Sequence, residues 1–205
     1  SIAKALQTGV PRLRALAGSA HNRRRMTNPW KTLSTALKYE NAWFRVREDQ
    51  VIRPDGNPGI YGVIEFAPSV GVVALNEQEE VALVRQWRYT RGEATWELPV
   101  GSSKPGDGDA LNAAKRELAE EAGVEANDWL QVGHLDCIVG ATTERATFYL
   151  ARNLRICGTN PDPEERISVE WMPLRLAVSM VLDGTITECI SVAAILRVHL
   201  LLAEK

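Results

Sequence analysis

The spacing of apolar and polar residues changes twice along this chain. From Trp43 onward it reads as short strands broken by turn residues. "WFRVREDQVI" alternates loosely and runs into "RPDGNPG", whose Pro-Asp-Gly and Asn-Pro-Gly predict a hairpin loop. "YGVIEF", "GVVALN" and "VALVRQW" follow as β-branched, apolar strands, with "NEQEE" turning between the last two, and "TWELPV" is a further short strand. Between Asp109 and Ala122 the period lengthens. Leu111, Ala114, Leu118 and Ala122 recur at three- and four-residue steps, predicting an amphipathic helix with Asp109 as N-cap and Gly123 as its left-handed stop. Strand candidates return at "WLQVGHLDCIV", "RATFYLA" and "ISVEWMPL". Helices over Leu174–Leu182 and Thr187–Ala203 end the chain. Strands on both sides of one helix, with more helices last, predict an α+β layered domain rather than repeated βαβ units.

Composition narrows the class. The 205 residues are 45% hydrophobic and 24% charged, enough to bury a core without staples. Cys137, Cys157 and Cys189 form no CxxC pair, so neither a disulfide framework nor a zinc site is expected, and a reducing, cytoplasmic compartment fits. No apolar run approaches the ~20 residues of a membrane span, so no membrane association is expected. The net charge of −2 hides an asymmetry: residues 1–39 carry eight basic side chains and no acid, leaving 16 basic and 26 acidic residues in the remainder. A basic arm of this kind can meet an anionic surface or nucleic acid, and it also matches an Arg-rich transit segment or sequence upstream of a start at Met26. No helix-turn-helix accompanies it, so no nucleic-acid partner is expected.

The predicted helix poses the chemical question. Glu117 and Glu121 lie one turn apart and Glu120 lies beside them, near a helix C-terminus where the dipole disfavours negative charge. Such a cluster is either a solvated acidic face or a site for a hard cation such as Mg²⁺, which takes carboxylate oxygens and keeps water and substrate phosphate in its shell. Only Lys115 and Arg116 are close in sequence to relieve the repulsion.

The longer stretch "ELPVGSSKPGDGDALNAAKRELAEEAGV" resembles the Nudix box, G-x5-E-x7-R-E-U-x-E-E-x-G-U, with U apolar. Gly101, Arg116, Glu117, Leu118, Glu120, Glu121, Gly123 and Val124 match it. The loop is one residue longer than the pattern: counted from Gly101 the first acid falls on Asp107, and counted back from Arg116 it falls on Gly108. Asp107 and Asp109 are the candidate substitutes. "WKTLSTALKYENAWFRVREDQVIRPDG", "VRQWRY" and "WELPVG" extend the resemblance to the ADP-ribose and nucleoside-diphosphate-sugar pyrophosphatase branch of the family, over Trp30 to the C-terminus.

That resemblance implies an α/β/α sandwich with a mixed β-sheet, a catalytic loop-helix-loop and an N-terminal antiparallel strand region. It divides the chain into a basic arm (1–30), a strand region for dimerisation and substrate recognition (31–66) and a Nudix hydrolase domain (67–205). It implies Mg²⁺- or Mn²⁺-dependent cleavage of a nucleoside diphosphate linked to a sugar. A catalytically silent domain that senses the same ligand is the alternative. Glu117, Glu120, Glu121 and the backbone carbonyl of Val100 are then metal ligands, and Arg116 holds the glutamates in register. Glu164 or Glu165, in "NPDPEERISVEW", is the candidate general base. Arg88, Trp43, Arg53, Glu97 and Glu144 are candidate substrate contacts, Arg88 for phosphate and Trp43 as a ring stacked on the base. The resemblance also implies a homodimer in which N-terminal strands complete the partner's pocket.

Overall fold

The computed structural model describes residues 27–158 and 167–203. Within them, ten strands and three helices follow one another in the order the sequence predicts, with one strand added at the start and one predicted strand divided in two. Strand β1 (Lys31–Glu40) pairs antiparallel with β2 (Phe44–Ile52), and β2 pairs with β3 (Pro58–Phe66). The expected hairpin loop joins β2 to β3: Arg53 N donates to Asn57 O and Gly56 N to Arg53 O, both at 2.9 Å. β1 was missed by the alternation because all ten of its residues are exposed, so neither face imposes a period.

The remaining strands form two sheets. β7 (Val100–Ser102), β4 (Ser69–Ala74), β9 (Arg145–Ile156) and β8 (Val124–Asp136) lie side by side in that order, with β4 and β9 parallel and the other neighbours antiparallel. β10 (Ile167–Pro173), β5 (Glu80–Arg88) and β6 (Glu93–Glu97) make an antiparallel three-stranded sheet. The predicted strand "TWELPV" is thus two strands, because Leu98 and Pro99 carry the chain from one sheet to the other. Proline lacks the N–H that an unbroken ladder needs.

Strand parity sorts the core into layers. Val70, Val72 and Ala74 of β4 face helix α1 (Ala110–Ala122), meeting Ala113, Ala114, Leu118 and Ala122. Val73 and Leu75 face helices α2 (Leu174–Leu182) and α3 (Cys189–Ala203), meeting Ala177, Ile190 and Ile195. Helices therefore cover both sides of a mixed sheet, the α/β/α layering of an α+β domain. Gly71 is small for a packing reason: a Cβ there would sit 2.6 Å from Ile190 Cγ2. All three cysteines are free thiols. Among the described residues no helix is long and apolar enough to cross a membrane.

Candidate active site

Helix α1 begins and ends as its sequence requires. Asp109 accepts a hydrogen bond from Asn112 N at 2.8 Å, and Gly123 adopts φ 65°, its N–H reaching Ala119 O and Leu118 O. This phasing turns Leu118 into the core and sets Glu117, Glu120 and Glu121 toward β7. The glutamates are not a solvated face: Glu117 is 7% and Glu121 4% exposed.

Burial of two acids demands partners. Glu121 Oε2 accepts from Val100 N at 3.0 Å. Arg116 Nη1 donates to Glu117 Oε1 at 2.7 Å and to Glu120 Oε2 at 2.9 Å. Arg116 is anchored from behind, where its Nε and Nη2 donate to the two oxygens of Asp107 at 2.9 and 3.0 Å, and Nη2 also meets Ser102 O at 3.0 Å. Asp107 further accepts from Lys104 N at 2.6 Å. Of the two candidate substitutes for the first acid of the box, Asp107 grips the arginine and Asp109 caps the helix. Gly108 turns at φ 77° between them.

The electrostatics follow this wiring. The Arg116 bonds hold the Asp107 carboxyl down to about 2. Burial pushes the Glu117 carboxyl above its ordinary value, against the opposing pull of Arg116. Gly101 makes room for that carboxylate: a Cβ at position 101 would lie 2.2 Å from both Cδ and Oε1 of Glu117. The backbone of β7 and the Glu117 carboxylate are therefore in intimate contact.

Among the described residues no three acidic, histidine or cysteine side chains converge into a ready-made cation cage. The donor set still fits a hard divalent ion. Two buried carboxylates and a third half-exposed one share a cleft wall, and Mg²⁺ needs only a few protein oxygens beside water and phosphate.

The cleft itself encloses about 1380 Å³. The glutamate helix, Val100 and Gly101 form one wall, while Trp43, Phe66, Arg88, Glu97, Glu144 and Glu188 also line it. Trp43 is 71% exposed at the rim, where Asn41 Oδ1 accepts from the Trp43 and Phe44 amides at 2.8 and 2.9 Å and fixes the β1–β2 turn. Arg88 and Glu97 form a two-pronged ion pair, with Nε to Oε1 at 2.8 Å, and Thr95 Oγ1 donates to the same Oε1 at 2.5 Å. Burial raises the Glu97 carboxyl, but the bonds from Arg88 and Thr95 outweigh it and the net shift is downward. Glu144 Oε1 accepts from Ser69 Oγ at 2.7 Å.

Arg53 is not brought to the cleft of its own chain. It stays in the β2–β3 hairpin, with Nη2 3.5 Å from Asp55 Oδ2 and its aliphatic stem against Gly59. Glu164 and Glu165 lie outside the described residues. Sequence reasoning missed Glu188, whose oxygens accept from Ile190 N at 2.8 Å and from Ser191 N at 2.7 Å, capping α3. An acid one residue ahead of a helix was the available signal. A tertiary bond, Leu98 N to Ser191 Oγ at 2.9 Å, ties the start of α3 to the residue that follows β6.

Comparison with known proteins agrees with this geometry. The NUDIX domain profile matches residues 65–186, and that of the nucleoside diphosphate sugar hydrolase N-terminal domain matches residues 30–64. The chain is 35% identical over 173 residues to an ADP-ribose pyrophosphatase of Mycobacterium tuberculosis, covering 83% of each protein. It is 23% identical over 146 residues to an ADP-ribose pyrophosphatase of Bacillus subtilis, covering 71% of this chain and 78% of that one. A crystal structure described as an ADP compounds hydrolase superposes with a TM-score of 0.76 at 20% identity, covering 85% of this chain and 95% of the other. The box residues, the layered fold and these matches agree: the chain belongs to the Nudix family and is a Nudix pyrophosphohydrolase.

Proposed function

We propose that this protein hydrolyses the diphosphate bond of ADP-ribose or a related nucleoside-diphosphate sugar, releasing a nucleoside monophosphate and a sugar phosphate, with Mg²⁺ or Mn²⁺ as cofactor. The observation that carries the proposal is the pair of buried carboxylates, Glu117 and Glu121, pressed against Gly101 and Val100 at the wall of a cleft. The name of the relative at 35% identity supports the choice of ADP-ribose.

In this reading Glu117, Glu120, Glu121 and the Val100 carbonyl hold the cation. Once bound, it neutralises diphosphate charge and makes an attacking water easier to deprotonate. Arg116, strapped by Asp107, keeps Glu117 and Glu120 aligned. Arg88, held in the cleft lining by its two-pronged ion pair with Glu97, brings positive charge to the substrate phosphates. Trp43 presents a ring face to the base, and Glu144, held by Ser69, lines the same cleft. Glu164 or Glu165 takes the proton from water, so replacing the true base lowers kcat far more than it raises KM. Near-normal turnover in both Glu164→Gln and Glu165→Gln removes that assignment.

Dimerisation belongs to the same proposal. β1 is the outer strand of its sheet, with its far edge unpaired among the described residues, and Leu33, Leu37, Tyr39 and Ile60 stand 54–64% exposed. Exposed apolar edge strands are a liability unless covered. A second copy, with residues 31–66 at the interface and Arg53 delivered to the partner's cleft, covers them. Light scattering should give twice the mass of one chain; a monomer at working concentration refutes it. The three free thiols fit a cytoplasmic setting.

The deciding experiment is a chromatographic screen for phosphomonoester products released from ADP-ribose, GDP-mannose, UDP-sugars, diadenosine polyphosphates and coenzyme A, with and without Mg²⁺. Metal-dependent release from ADP-ribose or a nucleotide sugar is expected. Release from none of them overturns the enzymatic reading in favour of a ligand sensor.

A further inference from the structure

Between β8 and β9 the chain runs outward and returns to the cleft at Glu144. The segment grips itself weakly, with Ala141 N and Thr142 N both reaching Ile138 O, at 3.1 and 3.0 Å. Apolar burial does little to anchor it, since Ile138 is 59% and Val139 82% exposed. At its base, Cys137 N donates to Glu144 O at 3.2 Å and Ser69 Oγ holds the Glu144 carboxylate.

The remaining fastenings come from another sheet. Ile64 of β3 donates its N–H to Ala141 O at 2.9 Å and accepts from Thr143 N at 3.0 Å, forming a parallel bridge with Thr142. Phe66 N donates to Thr143 Oγ1 at 3.2 Å. Tyr61 Oη donates to Gly140 O at 2.8 Å, and its ring stands edge-on to Trp30 with centroids 5.2 Å apart. A strand of the N-terminal sheet thus clasps the tip of a segment whose end supplies a cleft carboxylate. Phe66, two residues beyond Ile64, lines the same cleft.

We propose that Tyr61 is a positioning residue: its hydroxyl, acting with the main chain of Ile64, clamps residues 138–144 and so holds the Glu144 carboxylate in the cleft. The N-terminal sheet then contributes to the site through the placement of this acid. The kinetic half of the proposal rests on the hydrolysis proposed above; the clamp itself does not.

Tyr61→Phe removes one oxygen from an exposed bond and keeps the ring, so the thermal midpoint should stay put. Hydrogen exchange of the amides in 138–144 should accelerate about fivefold, the equivalent of one ordinary hydrogen bond. Thr143→Ala, which removes the partner of Phe66 N, should do the same. With ADP-ribose and Mg²⁺, Tyr61→Phe should lower kcat/KM about fivefold alone and not at all in a Glu144→Gln background. A merely structural tyrosine gives equal losses in both backgrounds, which overturns the proposal. Unchanged exchange, or full activity in Glu144→Gln, also overturns it. If wild-type protein cleaves neither ADP-ribose nor a nucleotide sugar, the hydrolysis reading fails while the exchange measurement still decides the clamp.

Discussion

Gly101→Ala isolates the contact between strand β7 and the glutamate helix. The added Cβ would stand 2.2 Å from Glu117 Cδ, whereas ordinary contact begins near 3.4 Å, so the carboxylate must retreat by more than 1 Å. It cannot do so freely, because Glu117 is 7% exposed and bonded to Arg116. The stability cost should be modest, about 1–3 kcal/mol, since the obstructing atoms are the far end of one side chain. The catalytic cost should be larger: a displacement of about 1 Å in a positioning group is worth on the order of a hundredfold. Thermal melting and steady-state hydrolysis of ADP-ribose under saturating Mg²⁺ separate the two. Adding Glu117→Asp, which shortens the carboxylate by one methylene, should restore part of the melting loss and little of the rate. A Gly101→Ala protein with unaltered kcat/KM would refute the claim that Glu117 must occupy this position.

Other outcomes follow from the same contacts. Arg116→Lys loses the forked grip on Asp107 and the bond to one glutamate, and should weaken Mg²⁺ activation about 10–100-fold by titration of the rate. The Asp107 carboxyl ordinarily titrates at 3.8 and is held at about 2, so its stabilisation is present above 3.8 and lost as pH falls toward 2; melting curves of Asp107→Asn across that window should lack this acid limb. Leu118→Ala, at a fully buried position under the same helix, should cost about 2–5 kcal/mol by denaturant melting. Arg88→Ala leaves Glu97, 1% exposed, with Thr95 as its remaining named partner, and should cost about 2 kcal/mol while raising KM more than it lowers kcat.

The legibility of this protein in its sequence varied with the physics behind each element. Helix α1 was predictable to its caps, because a 3.6-residue apolar period, an Asp start and a Gly stop are local signals. β5 was legible as an apolar run, and β10 as a strand candidate. β1 was not, since an exposed strand leaves no alternation to read. The break at Leu98–Pro99 was hidden because strand pattern continues on both sides while the sheet changes. At the site, motif spacing brought Arg116, Glu117, Glu120 and Glu121 together and left Asp107 and Asp109 tied; only three-dimensional reach to Arg116 separates those two acids. Glu144 accepts from Ser69 Oγ, and Ser191, three residues after the helix-capping Glu188, accepts from Leu98 N; no local pattern encodes such bonds across the fold.

The central claim is that the buried glutamates act on a diphosphate through a divalent cation. The most direct test follows ADP-ribose by phosphorus NMR with wild-type protein and with a Glu117→Gln, Glu121→Gln double variant, each in Mg²⁺ and in excess chelator. The account predicts equimolar AMP and ribose 5-phosphate from wild-type protein with Mg²⁺, and intact ADP-ribose in the other three samples. Equal cleavage by the double variant, or by wild-type protein in chelator, would contradict it.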